Sequence, residues 1–142
     1  MKIKSILAGT LLAFSCTLMA QENVYIFTKV VENPATPIKD QAETGTCWCF
    51  GTTSFIESEL IRTGKGEFDL SEMFTVRHNY RHRIFDNYIR EGQGSIVEGS
   101  LGHMAINMMN QYGLVPQYAY AGLNCDSPKH DHSELSAYVE AL

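Results

Sequence analysis

Apolar positions along the chain follow several distinct patterns, and each predicts a different kind of element. Residues 6–19 form a largely apolar run without charge, after Lys2 and Lys4. Residues 24–31 alternate weakly and are rich in β-formers (Val24, Tyr25, Ile26, Phe27, Val30, Val31), which predicts a strand or extended segment. Helical spacing takes over at Cys47. From there to Arg62, Phe50, Phe55, Ile56, Leu60 and Ile61 recur at three- and four-residue steps, predicting an apolar stripe with Glu57, Glu59 and Arg62 on the other side. Gly64 and Gly66 predict the end of that helix.

Asp69-Leu70-Ser71-Glu72 has the character of a helix start, and residues 71–90 predict a second helix with Met73, Phe74, Tyr80, Ile84, Phe85 and Tyr88 inward. A Gly-rich break at residues 91–94 precedes a third helix over residues 101–112, which Gly113 closes. Met104, Ala105, Met108 and Met109 on it are core packing rather than a cofactor box. Val115-Pro116 and residues 118–123 are expected to be extended, residues 124–133 to form a polar loop, and residues 134–142 to start a last helix. Between the first strand and the first helix, Asn33-Pro34 and Thr36-Pro37 impose an extended connection, and residues 41–46 form a loop. The pattern is mostly helical with long connections, and it contains no repeat.

Composition narrows the class. The chain has 142 residues, 44% of them hydrophobic, which suits one domain with a modest core. Its net charge of −5, with no Lys/Arg-rich stripe, gives no footprint for nucleic acid or an anionic membrane. Lys2 and Lys4, the apolar run, and Leu18-Met19-Ala20 make the three-part layout of a secretory signal peptide over residues 1–20, with Gln21 as the mature N-terminus. The run is shorter than the roughly 20 residues a membrane span needs, so no stable insertion is expected after cleavage. Cys16 raises a lipoprotein alternative, which Ala13-Phe14-Ser15 fits poorly because Phe14 is bulky. The protein is therefore expected to be exported, to the periplasm or the medium. Export leaves Cys47, Cys49 and Cys125, an odd number and too few for a disulfide framework. Cys125 can pair with Cys49, stay free, or bridge to another chain.

Cys47 opens the first helix, where partial positive charge and free N–H groups favour a thiolate, the nucleophilic form. Gln41 lies in the loop just upstream, close enough in sequence for its amide to fold back toward the sulfur. That amide, with the backbone N–H of Cys47, would make an oxyanion hole for acyl transfer. Against this, Cys47 as a small buried hydrophobe is the bland alternative, and Trp48 taken alone is best explained as a core aromatic.

Thr36-Pro37-Ile38-Lys39-Asp40-Gln41 followed by Gly45-Thr46-Cys47-Trp48-Cys49-Phe50 resembles the active-site segment of papain-like cysteine peptidases. Asp69-Leu70-Ser71-Glu72-Met73 is similar to the family's Leu-Ser-Glu helix start, and Tyr112-Gly113-Leu114-Val115-Pro116 with Tyr118 and Tyr120 to the segment after its third helix. The resemblance implies an α+β papain-like fold, of which residues 21–142 are the mostly helical left-hand half and the right-hand β domain is missing. It implies Cys47 as nucleophile, Gln41 as oxyanion donor, Trp48 as part of the cleft, and Gly99 and Ser100 as the wall that binds substrate backbone. It implies a peptide substrate and no cofactor or metal. Thr44 stands where many secreted members have a cysteine, so their disulfide beside the nucleophile is absent. Only a short mature stretch precedes Gln41, without room for a large pro-segment. Both departures point to the bleomycin hydrolase and aminopeptidase C branch, and so to aminopeptidase action.

The family's histidine and asparagine lie ~130–150 residues beyond the cysteine, and Leu142 comes before that point. The isolated chain is thus expected to be inactive alone. A non-catalytic peptide-binding module, a complementing C-terminal domain supplied separately, and self-association are the other expectations. His78 and His82 are four apart on the second helix but are expected on a solvated face. His130 and His132 are placed in a solvated loop, and His103 as a partly buried helix residue.

Overall fold

The computed structural model describes Tyr25, residues 27–123 and residues 126–141. The chain divides into two units, Met1–Glu32 and Asn33–Leu142. In the first unit, Tyr25 and residues 27–32 are exposed and lack strand pairing, and Lys29 bridges Glu32 at 2.8 Å. Of the strand or extended segment expected over residues 24–31, the described part forms no paired strand. Composition favours a strand only where a second edge accepts its hydrogen bonds. Val24, Ile26, the signal peptide expected over residues 1–20, Cys16 and Cys125 lie outside the described residues.

The second unit contains helices α1 (Cys47–Arg62), α2 (Glu72–Ile89), α3 (Gly102–Tyr112) and α4 (Ser133–Glu140). Among the described residues there is no β-strand. Two isolated bridges link distant segments, Glu43 to Asp131 in parallel and Leu70 to Pro116 in antiparallel sense. This agrees with the helical part of the expected fold. No helix among the described residues is long and apolar enough to cross a membrane.

Local chemistry sets the helix ends where the pattern placed them. After α1, Lys65 N bonds Leu60 O at 2.9 Å and Gly64 N bonds Ile61 O at 3.0 Å, with Gly64 at φ +71°. This paired closure needs a left-handed residue, which glycine adopts without strain. At the start of α2, the Ser71 hydroxyl accepts from Phe74 N at 3.1 Å and donates to Tyr120 O at 2.6 Å. One side chain thus caps the helix and ties it to the segment after α3. That segment turns over Gln117 to Ala119 rather than running extended, because Ala119 N and Tyr120 N both bond Pro116 O.

The helix faces differ from the expected ones. On α1 the buried residues are Trp48, Cys49, Thr53 and Glu57, while Phe55 is exposed. On α2 they include Met73, Thr75, Val76, Asn79 and Tyr80, with Phe85 and Tyr88 exposed. Trp48, Cys49, Met73, Val76, Tyr80 and Ala105 form the core, with Phe50, Met104, Met109 and Tyr120 packed against it. The three longer helices meet there pairwise. Thr52 Oγ1 lies 3.0 Å from where a Cβ on Gly102 would sit, so α1 and α3 approach closely at that glycine.

Glu57 faces inward because a cation meets it. Lys39 Nζ lies 3.0 Å from Glu57, 2.9 Å from Glu72 and 2.8 Å from Asp69, and donates to Leu70 O at 2.9 Å. Glu57 also accepts from Leu70 N at 2.7 Å and from the Thr36 hydroxyl at 2.5 Å. Both of its oxygens are satisfied, which is the condition for burying a carboxylate. Burial alone would lower the Lys39 pKa, but hydrogen bonds to Asp69, Glu72 and Glu57 outweigh it and hold the ammonium above its ordinary range. Burial raises the Glu72 pKa, with Lys39 opposing the rise.

Two predictions follow from this cluster. Lys39→Met leaves two buried carboxylates facing each other and should cost about 3–5 kcal/mol in chemical denaturation. Because the folded-state Lys39 pKa is raised, its contribution is fully present below the ordinary lysine value of 10.5 and is lost as pH rises beyond it. The stability gap between wild type and Lys39→Met should therefore be full at about pH 8 and only slightly narrowed at about pH 11, because the raised folded-state pKa keeps Lys39 protonated there.

Candidate functional site

Cys47 is the first residue of α1 and its side chain is exposed, so it is not the buried hydrophobe of the bland alternative. In a helix the first N–H groups have no intrahelical acceptor, so those of Cys47 and Trp48 are free for another partner. Thr46 O takes up the next two, from Cys49 N at 2.9 Å and Phe50 N at 3.2 Å. Thr46, the cap residue, makes no side-chain cap bond. Its hydroxyl is engaged elsewhere, 2.5 Å from the hydroxyl of Thr44.

The loop before Cys47 is knitted by such contacts. Asp40 accepts from Ala42 N at 2.8 Å, Ala42 sits at φ +54°, and Thr44 N bonds Ala42 O at 2.9 Å. A non-glycine residue in that left-handed region costs on the order of 1 kcal/mol and persists only where its surroundings hold it. The Thr44 hydroxyl donates to Gln41 O at 2.8 Å. Since a hydroxyl has one hydrogen, the Thr46 hydroxyl must be the donor between the two threonines. Gln41 Nε2 donates to Thr44 O at 2.7 Å. One of its two amide hydrogens is thereby used to fix the side chain, and the other remains for a ligand.

Cys49, two residues on, is fully buried, with Sγ 3.5 Å from Glu72 O and 4.0 Å from Thr53 Oγ1. Burial pushes its thiol up to about 12, with the Thr53 hydroxyl opposing the rise. The two neighbouring cysteines thus differ fully in environment: one exposed at a helix start, the other an inert core thiol. Trp48 is buried in the core, and its indole N–H has no partner among the described residues. It packs as a core aromatic while retaining one unused donor.

Gly99 and Ser100 line a shallow hollow with Leu101 and His103. A Cβ on Gly99 would meet nothing within 4 Å, and the buried Ser100 hydroxyl has no partner. A separate cavity of about 440 Å³, lined by Lys39, Asp69, Glu72 and His130 among others, includes none of these residues.

The histidines divide. His82 is exposed, as expected. His103 is exposed rather than partly buried, because it lies on the face of α3 opposite Ala105 and Met108. His78 is half-buried and stacks on Tyr112, ring centroids 3.9 Å apart; burial first, then Arg81 and Arg77, lower its pKa. His132 departs furthest from the solvated loop expected for it. Its Nδ1 lies 2.6 Å from Glu98 Oε1, and its ring meets Tyr80 edge-on at 5.8 Å. Glu98 and His132 are the residues that sequence patterns miss, since nothing local links positions so far apart. Among the described residues, no group of three or more His, Cys, Asp or Glu side chains is placed to hold a metal.

Residues 27–140 match the papain family cysteine protease sequence pattern. Over 124 residues the chain is 23% identical to "Cysteine proteinase 1, mitochondrial" of Saccharomyces cerevisiae (strain ATCC 204508 / S288c), covering 75% of this chain and 26% of that protein. Over 116 residues it is 25% identical to "Cysteine proteinase 2" of Entamoeba histolytica, covering 77% of this chain and 34% of that protein. The chain thus spans about a quarter to a third of the length of these relatives.

The threonine pair yields a prediction. Thr44→Val removes the acceptor of the buried Thr46 hydroxyl and the donor to Gln41 O at nearly constant shape. It should cost about 1–3 kcal/mol in urea unfolding, whereas Thr44→Ser should stay near wild type.

Proposed function

Because the chain belongs to the papain family of cysteine proteases, we propose that it is the nucleophile-bearing part of a peptidase that cleaves peptide bonds through a thioester on Cys47. The observation that carries this reading is the pairing of an exposed Cys47 at a helix start with a Gln41 side chain fixed in the loop before it. In the proposed reaction the thiolate attacks the scissile carbonyl carbon. The oxyanion is met by the Cys47 backbone N–H and the spare Gln41 amide hydrogen. The C–N bond then breaks, the amine leaves with a proton, and water hydrolyses the thioester to acid and thiolate.

Proton transfer needs a base. His78 and His132 are engaged with Tyr112 and Glu98, His130 lines a cavity that includes neither Cys47 nor Gln41, and His82 and His103 point to solvent. This favours a histidine and an orienting asparagine from a second domain, either further along the same polypeptide or complementing it. The chain alone is accordingly proposed to be inactive, or to bind peptide without cleaving it. Gly99 and Ser100 supply the proposed substrate wall, where an exposed glycine with open space beside it suits an incoming peptide backbone. Aminopeptidase-like action, in the manner of the bleomycin hydrolase and aminopeptidase C branch, is the finer reading and is supported by Thr44 in place of a cysteine. Export through the leading segment completes it.

Iodoacetamide labelling followed by peptide mapping provides the test. At neutral pH, Cys47 should be modified at least about tenfold faster than free cysteine, while Cys49 stays unmodified in the native protein. A Cys47 rate equal to that of free cysteine would sink the reading of an organised nucleophile.

A further inference from the structure

The loop carrying Gln41 and leading to Cys47 is held by a residue pair that family resemblance does not point to. Glu98 Oε2 lies 3.0 Å from where a Cβ on Gly45 would sit, and its Cδ and Cγ both lie at 3.2 Å. The carboxylate therefore rests on the backbone two residues before the nucleophile. Its other oxygen, Oε1, is 2.6 Å from His132 Nδ1. The backbone of the same histidine segment grips the loop on its other side: Glu43 N bonds His130 O, and His132 N bonds Glu43 O, both at 3.1 Å. Tyr80, from the core of α2, backs the imidazole edge-on. The Glu98 and His132 side chains are only 22% and 13% exposed, so water screens the pair weakly.

We infer that Glu98 and His132 form a non-covalent clamp on residues 43–46. Both act as positioning residues. Glu98 limits movement of the Gly45 backbone from one side, and His132 orients Glu98 while its own backbone pins Glu43. The importance of this restraint for chemistry rests on the reading of Cys47 as nucleophile. The restraint itself does not.

Amide hydrogen exchange of residues 43–46, measured on the full chain with His132→Phe, His132→Asn, Glu98→Ala and His82→Phe, tests the clamp. An asparagine Nδ2 stands close to where the imidazole Nδ1 stood and can still donate to Glu98, whereas phenylalanine cannot. His132→Phe and Glu98→Ala should each speed exchange at these amides by about tenfold, with His132→Asn returning it to within about threefold of wild type and His82→Phe leaving it unchanged. Unchanged exchange in His132→Phe and Glu98→Ala overturns the clamp. So does an asparagine variant as fast as the phenylalanine one. Should His132→Phe unfold the domain, Glu98→Ala against Glu98→Gln carries the same comparison, since Gln keeps the bulk over Gly45. Labelling of Cys47 in the same samples separates the two readings. Fast wild-type labelling with unchanged exchange removes the clamp alone, and slow wild-type labelling with the exchange effect intact removes the peptidase reading alone.

Discussion

One ammonium group holds the architecture together. Lys39 reaches from an extended segment into the gap between α1 and α2, where Glu57 and Glu72 are almost wholly buried. Two carboxylates in that space would repel each other and lose their hydration without it. Their need for a cation fixes the position of the residues around Lys39, and these lead directly into the loop that ends at Cys47. Asp69 and Leu70 O join the same ammonium, so the turn before α2 is set by the contact that sets the approach to α1. Apolar burial is modest here by comparison: the core cluster is small, and several large apolar side chains of α2, such as Phe85 and Tyr88, remain exposed.

Downstream of Lys39, short polar side chains do the work of restraint. The Thr44 and Thr46 hydroxyls, the Gln41 amide and the Asp40 carboxylate each close a local ring, and together they hold Ala42 in a conformation it would otherwise avoid. The cap residue of α1 spends its hydroxyl inside this loop rather than on the helix. The N–H groups of Cys47 and Trp48 therefore stay free at the helix start, where an anion would find them.

Helix existence and ends were legible in the residues because they depend on local chemistry. Cys47 to Arg62 is bounded as periodicity and glycines suggested, and Ser71 caps α2 as the Leu-Ser-Glu pattern implied. Helix faces were less legible. Spacing places Phe55 inward and Glu57 outward, yet the cation that reverses this lies eighteen residues away, outside any local window. His132 shows the same limit: a polar neighbourhood in sequence says nothing of Glu98, thirty-four residues earlier. Of the candidate site, the loop from Gln41 to Trp48 could be placed before a helix starting at Cys47, because these residues are near one another in sequence. The groups that brace it could not, because they arrive from elsewhere.

The bridge between Glu43 and the segment around His132 has a temporal side. A ribosome delivers Cys47 and its flanking loop early, but the backbone that closes on Glu43 emerges only after α2 and α3 have been made. Contacts this far apart in sequence form late, because closing the intervening chain costs entropy before the contact repays it. During synthesis, then, the loop before Cys47 would be slack at first and acquire its final geometry last.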